Sequence, residues 1–227
     1  AIEMGIDKEG FCSVIMEGRG IPAKGAFPGS FSYGNDAVET VSYDPEEAKK
    51  LLEESGWTDT DGDGYVDKDG QKLTINWLTY PTRLEQPKLA EYAQATLKEI
   101  GIDVSVNNTS DHRTYAENGE FDVYVSSLTT APTGDPEYFF SSTVTGSKNY
   151  GNYQNDEVTK LTEQLHQTFD TDERGKLAVE LQQKILDDDA YFFVSHLNMG
   201  IVTKANVTGM AAHPCDYYEI TADLDVQ

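Results

Sequence analysis

The sequence predicts an α/β fold, a mostly parallel sheet in β-α-β-α-β order flanked by helices. Three observations predict it. Residues 73–79, 102–106 and 121–126 alternate large apolar or β-branched side chains with small or polar ones, the two-residue period of a strand. Between the first two, residues 87–100 place Leu89, Ala93, Leu97 and Ile100 at helical spacing before Gly101, and residues 111–118 offer a second, shorter helix between the last two. Strands joined through such crossovers are right-handed in connection and run parallel.

Each remaining element follows from local chemistry. Residues 1–18 carry Ile2, Ile6, Val14 and Ile15 and read as helical pieces ending near Gly18 or Gly20. Residues 21–41 are rich in Gly, Pro, Ser and aromatics, a loop that packs through Phe27, Phe31 and Tyr33. Asp44, Pro45 and Glu47 supply a cap, a first helical residue and a capping-box acid. The helix they open carries Ala48, Leu51 and Leu52 and stops at Gly56. Asp135 and Pro136 read as another cap and helix start. Two long helices follow at residues 156–168, with Val158, Leu161 and Leu165 inward, and 171–187, with Leu177, Leu181 and Ile185 inward. Asp170 and Glu173 stand at capping-box spacing before the second. Residues 191–194, 200–203 and 218–224 read as strands, the last ending close to the terminus as if to pair with something beyond it.

Composition bounds the function. With 227 residues, 38% hydrophobic and 11% aromatic, the chain is a folded protein able to bury a substantial core. Its 17 basic against 40 acidic residues leave a formal charge of −23, a field that repels phosphate backbones and anionic lipid, so nucleic acid is not a partner. No stretch approaches the roughly 18 apolar residues of a membrane span. The chain opens on Ala1 rather than Met and reads as a piece of a longer precursor. Cys12 and Cys215 lie near opposite ends, and their spacing leaves one disulfide and two thiols both open.

No catalytic constellation emerges, and the chain is not read as an enzyme. A nucleophile elbow, a zinc-protease helix motif, a phosphate loop and a dinucleotide fingerprint are all absent. His213 and Cys215 flank a proline and do not read as a thiol and base pair. His112, His166 and His196 are scattered and read as surface or satisfied side chains. Residues 59–70 resemble a calcium loop in Asp59, Asp61, Asp63, Gly64 and Asp67, yet Gly70 stands where a bidentate Glu belongs. We read the segment as an acidic β-turn, with no metal ligand and no cofactor assigned.

Binding is the better prospect. Parallel strands bring their carboxyl ends to one edge, so the loops starting at Tyr80, Asn107 and Ser127 converge there. Residues 127–135 leave the third strand through Ser127, Thr129, Thr130, Pro132, Thr133 and Gly134, a run of small hydroxyls that cannot continue a ladder. Near the proposed edge, Tyr80, Arg83, Arg113, Tyr115, Asn149, Tyr150 and Tyr153 suit a small polar ligand held by stacking and charged hydrogen bonds.

The opening AIEMGIDKEG, YDPEEAKKLL from Tyr43 on through Gly56 and Trp57, KEIGIDV from Lys98, GDP at residues 134–136, residues 150–156 and DTDER from Asp170 to Arg174 occur in the order of a known family. Over nearly its whole length the chain resembles the peptide and nickel family (family 5) of extracellular solute-binding proteins of ABC importers. The resemblance implies a periplasmic-binding-protein-like (type II) fold, with residues 1–227 as a single carboxyl-terminal lobe of a two-lobed, hinge-closing receptor. It also implies a small-molecule ligand passed to ABC permease subunits, and a location at the extracellular membrane face or in the periplasm. Membrane contact would come only through a lipid anchor on an amino-terminal part lying outside this chain. Peptide binders of the family tend to carry an Asp where Pro132 stands. APTGDP at residues 131–136 and His213-Pro-x-Asp-Tyr-Tyr218 look more like the nickel and metallophore branch, with a di- or oligopeptide receptor as the alternative. The alternative from a different class is a calcium-stabilised surface module. The ligand contacts expected are Tyr80 and Arg83 on a carboxylate, Tyr115 and Tyr150 by stacking, and Thr129, Thr130, Thr133 and Asn149 by hydrogen bonds, with Pro132 among them.

Overall fold

The computed structural model describes residues 1–213 and 220–227. The chain divides into two compact units, Ala1–Arg19 with Val41–Ser127, and Gly20–Thr40 with Leu128–Gln227. Along the chain the elements are α1 (Lys8–Gly10), β1 (Gly20–Pro22), α2 (Pro45–Glu54), β2 (Asp67–Lys68), β3 (Gln71–Lys72), β4 (Thr74–Thr79), α3 (Glu85–Glu99), β5 (Asp103–Asn108), α4 (His112–Glu117) and β6 (Val123–Tyr124). They continue with α5 (Glu137–Phe139), α6 (Asp156–Gln167), α7 (Thr171–Asp187), β7 (Ser195–Leu197), β8 (Val207–Thr208) and β9 (Asp225–Val226).

The first unit is built on the predicted sheet. Its strand order is β5-β4-β6, and both pairings are parallel, with Thr74 opposite Asp103 and Trp77 opposite Val123. The α3 helix lies against β4 and β5 and buries Leu89, Ala93 and Leu97 with Ile75, Trp77, Ile102 and Val104. Each large side chain so buried contributes about 2 kcal/mol relative to exposure. Gly101 carries φ +81°, and a Cβ there would stand 2.9 Å from Val66 Cγ1, so the turn from α3 into β5 needs a residue without one. The third strand is shorter than its alternation suggests. At its start the Asp122 carboxylate takes the Asn76 backbone N–H at 2.7 Å, where a ladder carbonyl would otherwise sit. Helix α2 opens as read, with Asp44 accepting from the Glu47 N–H at 2.9 Å. The acidic segment closes through the β2–β3 hairpin, whose Asp69 and Gly70 both have positive φ, 55° and 74°.

The second unit packs α6 and α7 over an aromatic core of Phe27, Tyr33, Phe139, Phe140, Leu165, Leu181 and Ile185. Phe27 meets Phe139 edge to face with centroids 5.9 Å apart, which holds the residue 20–40 segment to the core. Fully buried Gln182 on α7 fastens the same segment. Its Oε1 accepts from the Ala26 N–H at 3.0 Å and its Nε2 donates to the Tyr33 carbonyl at 2.8 Å.

Three expectations change in this unit. Residues 191–194 do not form a ladder; Tyr191 and Phe193 instead turn their rings onto Phe139, and pairing starts at β7, antiparallel to β1. Residues 200–203 are not a strand. The strand expected at residues 218–224 falls partly outside the described residues; pairing is seen from Asp225, where β9 runs antiparallel to β8. Cys215, and with it any pairing to buried Cys12 or relation to His213, also lies outside them. Among the described residues no helix is long and apolar enough to cross a membrane.

Candidate functional site

In the first unit the parallel ladder ends β4, β5 and β6 on one edge. The Thr109 N–H donates to the Thr79 carbonyl at 3.1 Å and the Val125 N–H to the Leu78 carbonyl at 3.0 Å, so the loops leave side by side. Tyr80, only 7% exposed, stacks its ring on the His112 imidazole at 4.2 Å, and its hydroxyl accepts from the Ser127 N–H at 3.2 Å. The His112 Nδ1 lies 2.7 Å from the Tyr124 hydroxyl. Burial, aided by the Arg113 charge, pushes the His112 pKa below its usual value, which keeps the ring neutral at pH 7.

A second cluster adjoins Tyr80 through Ser127. Gln86 Nε2 donates to Ser127 Oγ at 2.6 Å, and that hydroxyl donates to Glu85 Oε1 at 3.0 Å. The buried Gln86 Oε1 and Thr79 Oγ1 have no hydrogen-bond partner among the described residues. A buried orphan of this kind costs about 1–3 kcal/mol, so an edge that keeps two of them holds unused hydrogen-bonding capacity. Of the predicted residues, Tyr80 belongs to this edge. Arg83 lies exposed on the turn before α3, and Tyr115 lies half-buried on α4. Tyr124, Glu85 and Gln86 are not singled out in the sequence, which offers His112 only as a surface or satisfied side chain. The available signal was polar side chains opening the helices that follow β4 and β5.

In the second unit the predicted loop is fixed from beneath. Ala131 and Pro132 are buried, while Thr129 and Thr133 are exposed and Thr130 is half-buried. Gly134, at φ +79°, donates its N–H to the Ala131 carbonyl at 3.0 Å, and its own carbonyl accepts from the Tyr33 hydroxyl at 2.7 Å. The helix after the loop starts one residue later than predicted, Asp135 still accepting from the Glu137 N–H at 2.9 Å. Asp135 also forms a two-pronged pair with Arg174, Nε to Oδ2 at 2.7 Å and Nη2 to Oδ1 at 2.6 Å. Asn149 uses both ends of its amide to close a turn, donating to the Tyr153 carbonyl at 2.7 Å and accepting from the Tyr153 N–H at 3.0 Å. Tyr150 is half-buried on that turn.

Away from these edges, carboxylate oxygens of Asp59, Asp61 and Asp67 gather within 4.8 Å of one another. Their neighbours already use them: Asp59 accepts from the Gly62 and Gly64 N–H groups and Asp67 from Thr60, while Asp63 is paired with Lys72 at 2.5 Å. That is the hydrogen bonding of an acidic turn.

The family model described as bacterial extracellular solute-binding proteins, family 5 Middle, matches residues 1–151. The oligopeptide-binding protein AppA of Bacillus subtilis is 32% identical over 97% of this chain and 42% of its own length. The nickel-binding periplasmic protein of Escherichia coli is 27% identical over 94% of this chain, again covering 42% of the relative. The chain therefore spans less than half the length of these curated relatives. Among solved structures, AppA in complex with a nonapeptide superposes with a TM-score of 0.78 at 27% identity, covering 95% of this chain and 44% of that one. NikA from Staphylococcus aureus in complex with Ni(L-His)2 gives 0.79 at 24% identity, over 100% and 47% respectively, a likeness of fold. The parallel sheet flanked by helices is thus the periplasmic-binding-protein-like arrangement of these structures, and the chain belongs to the family 5 bacterial extracellular solute-binding proteins.

Proposed function

We propose that the chain is the carboxyl-terminal part of the substrate-binding component of an ABC importer, and that it captures nickel as a chelate with a small organic partner. The observation that carries this reading is the state of the one acid in the loop. Residues 128–135 contain a single carboxylate, Asp135, and Arg174 holds both of its oxygens. A peptide amino terminus needs a carboxylate to pair with, whereas a chelate is bound through neutral hydroxyls, amides and rings of the kind carried by Thr129, Thr130, Thr133 and Tyr150. Arg83 and Tyr80 would meet a carboxylate of the organic partner. A receptor of this kind works at the extracellular membrane face or in the periplasm, lipid-anchored, and hands its cargo to permease subunits.

A di- or oligopeptide ligand is the second reading, favoured by the 32% identity to AppA. Calorimetric titration of the full-length, metal-free receptor separates the two. Nickel(II) with L-histidine, nickel(II) alone, and a mixture of tri- to pentapeptides are titrated in turn. Heat only when nickel and histidine are both present supports the chelate; heat from peptides alone overturns it and selects the peptide reading.

A further inference from the structure

We infer that Arg174 is a positioning residue for the ligand loop: its guanidinium locks Asp135, and with it residues 128–135, to the end of α6 and the start of α7. The inference rests on the reading above that this loop meets the solute.

Arg174 stands in the first turn of α7 with its side chain 13% exposed. Nε and Nη2 grip Asp135, and Nη2 also donates to Glu137 Oε2 at 3.0 Å. Nη1 donates to the Leu165 carbonyl at 2.5 Å and the Thr168 carbonyl at 2.6 Å, at the end of α6. A guanidinium has five N–H donors, and these bonds account for all five. The cation also faces the negative end of α6, where charge of its sign is favoured.

Two carboxylates, Asp135 and Glu137, share this one cation, and Glu137 Oε1 turns its other side to His166 Nδ1 at 2.7 Å. Without Arg174 the two acids, two residues apart, repel each other and lose their shared partner. Asp135 is also what receives the Glu137 N–H, so its departure releases the start of α5 and the Gly134 turn beside it. A lysine offers a point charge rather than a planar fork and does not restore the two-pronged contact.

The test uses the full-length receptor with Arg174→Ala and Arg174→Lys. Affinity is read by calorimetry with nickel(II) plus L-histidine and with the tri- to pentapeptide mixture. Order is read by amide hydrogen exchange at Gly134 and Glu137 against the interior of α6 and α7. Both variants are expected to lose about tenfold in affinity, the equivalent of about 1.4 kcal/mol. Exchange protection should fall at Gly134 and Glu137 and persist in α6 and α7. Millimolar guanidinium ion should restore part of the affinity of Arg174→Ala, and ammonium should not. Wild-type affinity in the alanine variant overturns the inference. So does an equal loss of protection across α6 and α7, which would make Arg174 a fastening between helices. If the wild-type receptor binds neither probe, the functional reading fails, and the exchange pattern alone decides the role of Arg174. If Arg174→Ala does not fold, Arg174→Lys supplies the same comparison.

Discussion

His196 faces Ile21 across the β1–β7 pair, with Nε2 buried and without a partner among the described residues. Burial pushes its pKa down to about 4, below the ordinary value of 6.5. The unfolded chain therefore binds a proton that the folded chain refuses between those values. This contribution to stability is complete above about pH 6.5 and is lost as pH falls toward 4, at no more than about 1.4 kcal/mol per pH unit. Urea unfolding at pH 7 and pH 5 should show a steeper loss in the wild type than in His196→Asn; equal slopes would mean that water reaches the ring. Arg83 supports a different expectation. It lies exposed on the turn before α3, and Arg83→Ala in the full-length receptor should weaken capture of a carboxylate-bearing ligand without moving the melting temperature. Unchanged affinity would remove Arg83 from the site. At this scale the sequence tells least. Gln182 and Ala26, or Arg174 and Asp135, are partners only because the fold brings distant segments together, and no local pattern announces such pairs.

The helices were legible because their ends are written in local chemistry. Asp44, Pro45 and Glu47 open α2, and Asp170 opens α7 by accepting from the Asp172 and Glu173 N–H groups. Asp44→Ala should therefore cost about 1 kcal/mol and Asp44→Asn much less, read from chemical denaturation midpoints. Equal effects would show that the cap acts through charge rather than through its hydrogen bond. Gly101→Ala is a harsher change. It adds the strain of a left-handed alanine to contact with Val66 and should lower stability by about 1–3 kcal/mol in the same assay, more than the loss of the cap. The βαβαβ order was equally readable, since period and helix spacing alternate cleanly through residues 73–126. The strand signal at residues 191–194 failed for a physical reason. The apolar run at residues 191–194 marks side chains bound for a core, and an aromatic core supplies that burial without a ladder.

The resemblance read from scattered motifs gains a physical basis at the scale of the whole chain, because GDP at residues 134–136 and DTDER at 170–174 are the two halves of one charge pair. Charge also sets the last expectation. Several of the cations seen in ion pairs serve exposed acids close by, as in Lys49–Glu46, Lys50–Glu47 and Lys176–Glu173. Such exposed pairs contribute little, because water and salt screen them. Forty acids against seventeen bases leave a net repulsion that these few contacts do not offset, and repulsion of this kind opposes the compact state. Salt weakens both effects, so the sign of its action shows which is larger. Raising ionic strength from about 0.01 M to 0.15 M shortens the screening length from about 30 Å to 8 Å and should raise the melting temperature. The measurement is a thermal melt in potassium chloride, with a chelator present so that divalent ions at Asp59, Asp61 and Asp67 do not contribute. A fall in melting temperature would mean that the ion pairs outweigh the field of −23 charges.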